Sequence, residues 1–231
     1  MHQIPLPVQL RPEADFAAFV VGPNAEAVAA VTAWAAGTGD HFIYLFGTTG
    51  SGKTHLLQAA CRQAVQGDRS AIYLPLKHGQ LAPSALNNLE LWNLVALDDI
   101  QTIAGNAIWE EGLFDLYNRL RESGQHLLVS AHIPVSELPL TLPDLRSRLG
   151  WGPGYRLLPL PEGDCERLLR ESATRRGLEL DADAVDYIMR RCPREPGYLI
   201  GLLEEIDQEV LRRKRRPTRW LVRQILGTCK S

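Results

Sequence analysis

The chain has 231 residues, 45% of them hydrophobic and 23% charged, with a formal net charge of -2. Length and apolar content support one domain with a real core plus a small appendage, and the near-neutral charge argues against a generally basic nucleic-acid coat. No run of about 18 apolar residues is present to span a bilayer and the start lacks a secretion signal's charged lead, so no membrane partner is expected and the cytoplasm is the expected setting.

In chain order, QIPLPV (3–8) alternates apolar side chains with Pro5 and Pro7. Those prolines exclude a helix or a central strand and leave an extended, sticky peptide. It is either a frayed tail or a segment that docks on something. HFIYLFG (41–47) reads as a strand stopped by a glycine, and KTHLLQAACRQAVQG (53–67) as a helix with Gly67 as its C-cap. AIYLPL (71–76), LVALDDI (94–100) and HLLVSA (126–131) read as buried strands. AIWEEGLFDLYNRLRESG (107–124) reads as a helix whose apolar face is Ile108, Leu113, Leu116, Tyr117 and Leu120.

A fifth strand is expected near YRLLPL (155–160), followed by a hinge at Pro159, Pro161 and Gly163. Segments 164–177, 181–191, 196–215 and 218–227 then read as helices. Near-continuous apolar strands alternating with helices predict an α/β protein with a parallel sheet. The expected organisation is an extended tail (1–13), an α/β core (14–161) and a small C-terminal helical domain (162–231).

Cys61, Cys165, Cys192 and Cys229 are far apart and form no C-x-x-C pair, as expected of reduced thiols rather than a zinc site or disulfide framework. His126 and His132 flank an apolar run without the spacing of a metal site. LRRKRRPTR (211–219) carries six basic residues. It is a solvated helix end or a salt-sensitive contact with DNA phosphates.

GTTGSGKT (47–54) lies between a strand and a helix and fits G-x-x-x-x-G-K-[ST] at every fixed position. Gly47, Thr48, Thr49, Gly50, Ser51 and Gly52 can fold into a nest of inward-pointing N–H groups, backed by a helix N-terminus. Lys53 supplies charge for the β- and γ-phosphates and Thr54 a hydroxyl for Mg²⁺. LVALDD places Asp98 and Asp99 at a strand tip. Asp98 is the expected Mg²⁺ residue and Asp99 the candidate that polarises an attacking water.

FAAFVVGPNAEA (16–27), GTTGSGKTHLL (47–57) and LDDIQTIAGN (97–106) resemble the AAA+ core of the DnaA family of replication initiators. LFDLYNRLRESG (113–124) and LPDLRSRLGWGPGYRLLPL (142–160) are similar, more narrowly, to the DnaA-related regulatory inactivators of the Hda group. The resemblance covers roughly residues 14–227. It implies an AAA+ P-loop core with a parallel five-stranded sheet and a small helical lid, holding ADP or ATP with Mg²⁺. Backbone near Val20 and Val21 would line the adenine pocket, although ordinary core packing explains those residues equally well. DnaA carries a further DNA-binding domain beyond its lid and a longer insertion than the 18 residues 76–93, so both functions are expected to be trimmed here.

The same resemblance offers an occupant for the opening peptide. Hda-like proteins dock such a segment in the β sliding clamp, and Gln3, Leu6 and Pro7 match that motif, with Ile4 and Val8 as supporting contacts. The family's arginine finger falls on Arg148 in Ser147-Arg148-Leu149, before Trp151-Gly152, with Arg146 as a nearby alternative. Two departures stand out. The first-sensor aspartate is His132, and the lid's sensor arginine is replaced by Gly197, with Arg194 three residues too early. Intrinsic hydrolysis should therefore be weak. The implied role is a clamp-tethered negative regulator that presents Arg148 to ATP held by DnaA, meets DNA through the clamp, and is compatible with a homodimer. The rivals are a stand-alone ATPase or helicase loader and a clamp adaptor indifferent to ATP.

Overall fold

The structure is a computed structural model that describes residue 10 and residues 14–77, 81–213 and 216–228. Gln3, Ile4, Leu6 and Pro7 lie outside the described residues, as does Cys229. The chain divides into two compact units. One runs through Leu158, and the other holds the chain from Pro159 together with Thr49–Ser51.

In the first unit the apolar runs become strands β1 (Phe42–Phe46), β2 (Ala71–Pro75), β3 (Leu94–Asp98), β4 (His126–Ala131) and β5 (Gly154–Arg156). They form one parallel sheet in the order β2-β3-β4-β1-β5. Side chains alternate between two cores, as strand period demands. Ile43 and Leu45 of β1 join Leu94 and Ala96 of β3 in one cluster, with Val31 and Trp34 of α1 (Ala25–Ala36) and Leu56, Leu57 and Ala60 of α2 (Lys53–Gln66). Tyr44, Val95, Leu97 and Val129 face the opposite cluster, which is filled from α3 (Ala107–Glu122) and α4 (Pro143–Leu149). Each fully buried aliphatic side chain here contributes about 1.5–3 kcal/mol.

Two expectations need correction. Ile108 is not on the buried face of α3 but 67% exposed. At 100° per residue it lies about 130° from the centre of the stripe formed by Leu113, Leu116, Tyr117 and Leu120. The buried residue in that first turn is Glu110. The fifth strand is shorter and earlier than YRLLPL, pairing Tyr44–Phe46 with Gly154–Arg156. Beyond it, Leu158 is pinned by the Asn24 side chain, which accepts from Leu158 N–H (2.7 Å) and donates to Leu158 C=O (3.0 Å).

The second unit contains α5 (Glu162–Arg175), α6 (Ala182–Arg191), α7 (Pro196–Arg213) and α8 (Arg219–Thr228) around a core that includes Leu169, Val185, Ile188, Leu199, Leu203 and Val222. The four helices predicted after residue 163 are all present within two residues. Of the basic run, Arg212 and Arg213 both pair with Glu209 within the lid, and Arg219 lies over the Tyr187 ring at 5.5 Å. Lys214 and Arg215 lie outside the described residues.

One buried histidine predicts an acid response. His126 opens β4 with both ring nitrogens buried and unpartnered, stacked on His41 at 4.3 Å. Burial, then His41 and Arg69, push its pKa down from 6.5 to about 4. A histidine with a depressed folded pKa takes up its proton first in the unfolded chain, so stability falls as pH drops from about 6.5 toward 4. His126→Leu should remove that slope, widening its melting-temperature advantage over the parent between pH 7 and pH 4 by the equivalent of up to about 3 kcal/mol. Parallel melting curves at both pH values would show the histidine to be irrelevant.

Candidate functional site

Because every strand runs the same way, the C-terminal ends of β1, β3 and β4 share one edge of the sheet, where ligands of such folds bind. The chain leaves β1 through Gly47–Gly52 and enters α2 at Lys53. The turn requires glycine at two places. Gly50 has φ +78° and Gly52 φ +99°, and a Cβ on Gly52 would meet the Phe19 ring at 2.7 Å. Gly52 is also the N-cap of α2 and brings no capping side chain, so the helix N-terminus keeps its positive dipole end for an anion.

Lys53 is buried, and its ammonium donates to Gly47 C=O (2.7 Å) and Thr48 C=O (2.8 Å). Burial lowers its pKa, while Asp99 and Asp98 oppose that shift. The loop thus holds a cation against its own carbonyls at the place where the sequence asks for phosphate. Segment 15–22 lies against the same loop. Asp15 caps the short turn Phe16–Ala18 through Ala18 N–H (2.6 Å), its carbonyl meets His55 Nε2 at 2.8 Å, and Phe19 approaches the His55 ring at 5.7 Å. Val20 is buried and Val21 partly so. Both directly follow Phe19, whose ring meets the loop, and their burial serves an adenine wall and ordinary packing alike.

Asp98 ends β3 almost fully buried and accepts three hydroxyls. Thr54 Oγ1 (2.7 Å) and Tyr73 OH (2.8 Å) bond Oδ2, and Ser130 Oγ bonds Oδ1. Burial, with the neighbouring Asp98 charge, pushes the Tyr73 phenol up, so it stays a donor. Thr54 and Asp98, the two residues expected to hold Mg²⁺, are thus in direct contact. Tyr73 and Ser130 were not foreseen; a lone polar residue inside each apolar strand was the available signal.

Asp99 sits in the left-handed region, φ +64° and ψ +48°, which aspartate tolerates better than most residues. Its N–H donates to Ser130 Oγ (3.0 Å). Its carboxylate Oδ1 meets Gln101 Nε2 (3.0 Å) and His132 Nε2 (3.1 Å), while His132 N–H donates to Gln101 Oε1 (3.2 Å). His132, expected at the first-sensor position, is thus engaged with the candidate water-polarising acid, leaving Oδ2 as that acid's remaining oxygen. In the lid, Arg194 is tied to Glu162 (2.8 Å) and Gly197 is the second residue of α7.

The two arginines of α4 have different employments. Arg146 donates to the carbonyls of Val135 (3.3 Å), Ser136 (3.2 Å) and Leu140 (3.0 Å), clamping the loop before its own helix. Arg148 has no carboxylate partner among the described residues; its guanidinium lies 4.1 Å from the centre of the Trp151 ring and 5.9 Å from that of Phe114.

The family described as the bacterial DnaA ATPase domain matches residues 10–154, and the Hda lid domain matches residues 162–226. Among solved structures the chain is similar to domain III of the Thermotoga maritima replication initiation protein DnaA, at 22% identity over 95% of this chain and 98% of that one, with a TM-score of 0.82. It is similar to AMPPCP-bound DnaA from Aquifex aeolicus at 22% identity over 89% of this chain and 70% of that one, with a TM-score of 0.70. The Thermotoga maritima RuvB Holliday junction branch migration motor follows at 19% identity, 95% and 72% coverage and a TM-score of 0.66. Identities this low establish the shared AAA+ fold. The family match takes in the phosphate loop, both aspartates and Arg148, and with the lid match it shows that this chain belongs to the bacterial DnaA ATPase-domain family as an Hda-like member.

Proposed function

We propose that the protein is a negative regulator of replication initiation that binds ADP or ATP, is tethered to the β sliding clamp on DNA, and supplies Arg148 in trans to ATP held by DnaA. It would act in the cytoplasm, with the core ending at 161 and the lid starting at 162. The observation that carries this reading is the state of Arg148, an arginine without a carboxylate partner among the described residues, held on an aromatic ring beside a helix end. A guanidinium kept for another subunit's phosphates needs those two properties.

The local phosphate loop serves a bound nucleotide of its own. Thr54 Oγ1 and Asp98 Oδ2 are adjacent hard oxygens, the donor set that suits Mg²⁺ completed by phosphate and water. Mg²⁺ bound there would neutralise phosphate charge. Lys53 would turn its ammonium from the Gly47 and Thr48 carbonyls to the phosphates. His132 and Gln101 hold Asp99 Oδ1, which favours slow intrinsic turnover over a stand-alone ATPase.

Lys53→Ala should abolish most of the ADP-dependent rise in melting temperature. A ligand at a hundredfold excess over its Kd stabilises by about 2.7 kcal/mol, so the wild-type shift should be readily measured. Its absence in the wild type would count against a working pocket.

The tether is tested on the DNA-loaded clamp. Gln3→Ala combined with Leu6→Ala should abolish clamp binding and clamp-dependent stimulation of DnaA-bound ATP hydrolysis, while fold and ADP binding stay intact. A stiffened extended peptide loses less entropy on docking, which is why two anchors suffice. Undiminished clamp affinity of the double variant would remove the tether from the account.

A further inference from the structure

We propose that Trp151 is the positioning residue for Arg148, and that Arg121 shares the same ring to make a two-guanidinium face for a polyphosphate carried by another protein. The proposal rests on the reading that Arg148 acts in trans. Arg148 Cζ lies 4.1 Å and Arg121 Cζ 5.0 Å from the centre of the Trp151 ring. Neither guanidinium has a carboxylate partner among the described residues. Their neighbours differ: Arg119 pairs with Glu90 at 3.0 Å, and Arg146 serves backbone carbonyls.

Two like charges gathered on one ring repel unless an anion joins them, so the arrangement is costly for folding alone. The ring offsets part of that cost through cation–π attraction. Trp151 is 56% exposed, yet its backbone is fixed. Its N–H donates to Arg148 C=O (3.1 Å), and a Cβ on the following Gly152 would stand 2.4 Å from Phe42 O. The glycine thus lets the turn press against β1, while the half-exposed indole keeps both guanidinium groups within 5.0 Å of its ring centre. A long flexible side chain held in place before encounter loses less freedom in the transition state. Two planar forks also match a γ-phosphoryl group, whose charge is spread over three oxygens.

The test combines Trp151→Leu, Trp151→Phe, Arg121→Gln and Arg148→Ala in the full chain, each checked for an unchanged melting curve. Side-chain NMR should show a ring-current shift of the Arg148 Nε–Hε signal that Trp151→Leu removes and Trp151→Phe largely keeps. In hydrolysis of DnaA-bound ATP, Trp151→Leu should lower the maximal rate roughly tenfold and, because it releases Arg121 as well, raise the half-saturating concentration, and Trp151→Phe should restore most of both. Arg121→Gln should raise the half-saturating concentration several-fold. Adding Trp151→Leu to Arg148→Ala should cost nothing further in maximal rate, since the ring acts on the rate through Arg148. Full activity of Trp151→Leu beside a dead Arg148→Ala, or losses that multiply in the double variant, would overturn the positioning role alone. A fully active Arg148→Ala would instead overturn the trans-acting reading on which it rests.

Discussion

Arg148→Ala should reduce stimulated hydrolysis of DnaA-bound ATP by at least about 100-fold while leaving the melting curve, clamp binding and ADP binding unchanged. The side chain contacts the Trp151 and Phe114 rings and has no described ion pair, so its loss leaves no buried charge behind. A finger contributes to the transition state of the partner's reaction and to little else. Lysine should rescue poorly, because an ammonium lacks the planar fork that bridges phosphate oxygens. Arg146→Ala should act differently, through stability. It should lower stability by about 1–3 kcal/mol, since three carbonyls lose a charged donor. Its effect on activity should track stability and disappear on cooling, whereas that of Arg148→Ala should not.

Glu110→Ala should be the most destabilising of the single changes considered, by about 3–5 kcal/mol, or roughly 10 °C in melting temperature. Glu110 is fully buried, and its carboxylate accepts Gly105 N–H (2.6 Å), Thr141 N–H (2.9 Å), Thr141 Oγ1–H (2.8 Å) and Leu142 N–H (2.7 Å). It binds the start of α3 to the residues that lead into α4, and so sets where Arg148 is presented. Burial raises its pKa, but the N–H donors of Gly105, Leu142 and Thr141 outweigh burial and leave it lowered from 4.5. A depressed carboxylate gives stability that is present above its unfolded pKa and lost as pH falls through the folded one. The gap between Glu110→Ala and the parent should therefore be constant at neutral pH and close only in acid. Glu110→Gln should lose less, because one acceptor oxygen remains. A Glu110→Ala melting curve within 1–2 °C of the parent would show the three backbone donors to be satisfied otherwise.

The phosphate loop was legible because its glycines, lysine and threonine carry their geometry locally. The lid helices were legible for the same reason: caps such as Asp181, which accepts Ala184 N–H at 2.6 Å, act within one turn. What escaped depends on long separations. Tyr73 and Ser130 reach Asp98 only because β2 and β4 flank β3, an order no local pattern encodes. Glu110 looked like an ordinary charged helix residue, since its partners at Thr141 and Leu142 arrive from a distant loop. The role of Arg146 was hidden likewise, and the ring beneath Arg148 shows only once the turn at Gly152 is packed on Phe42.

The central claim is that the chemistry happens on the partner's nucleotide. The most direct measurement is a single-turnover assay in which γ-labelled ATP is pre-bound to DnaA and this protein carries unlabelled ADP, with clamp and DNA present. The account predicts fast release of labelled phosphate with the wild-type protein and a return to the unstimulated rate with Arg148→Ala. Release no faster than from DnaA alone, or equal acceleration by both proteins, would contradict it.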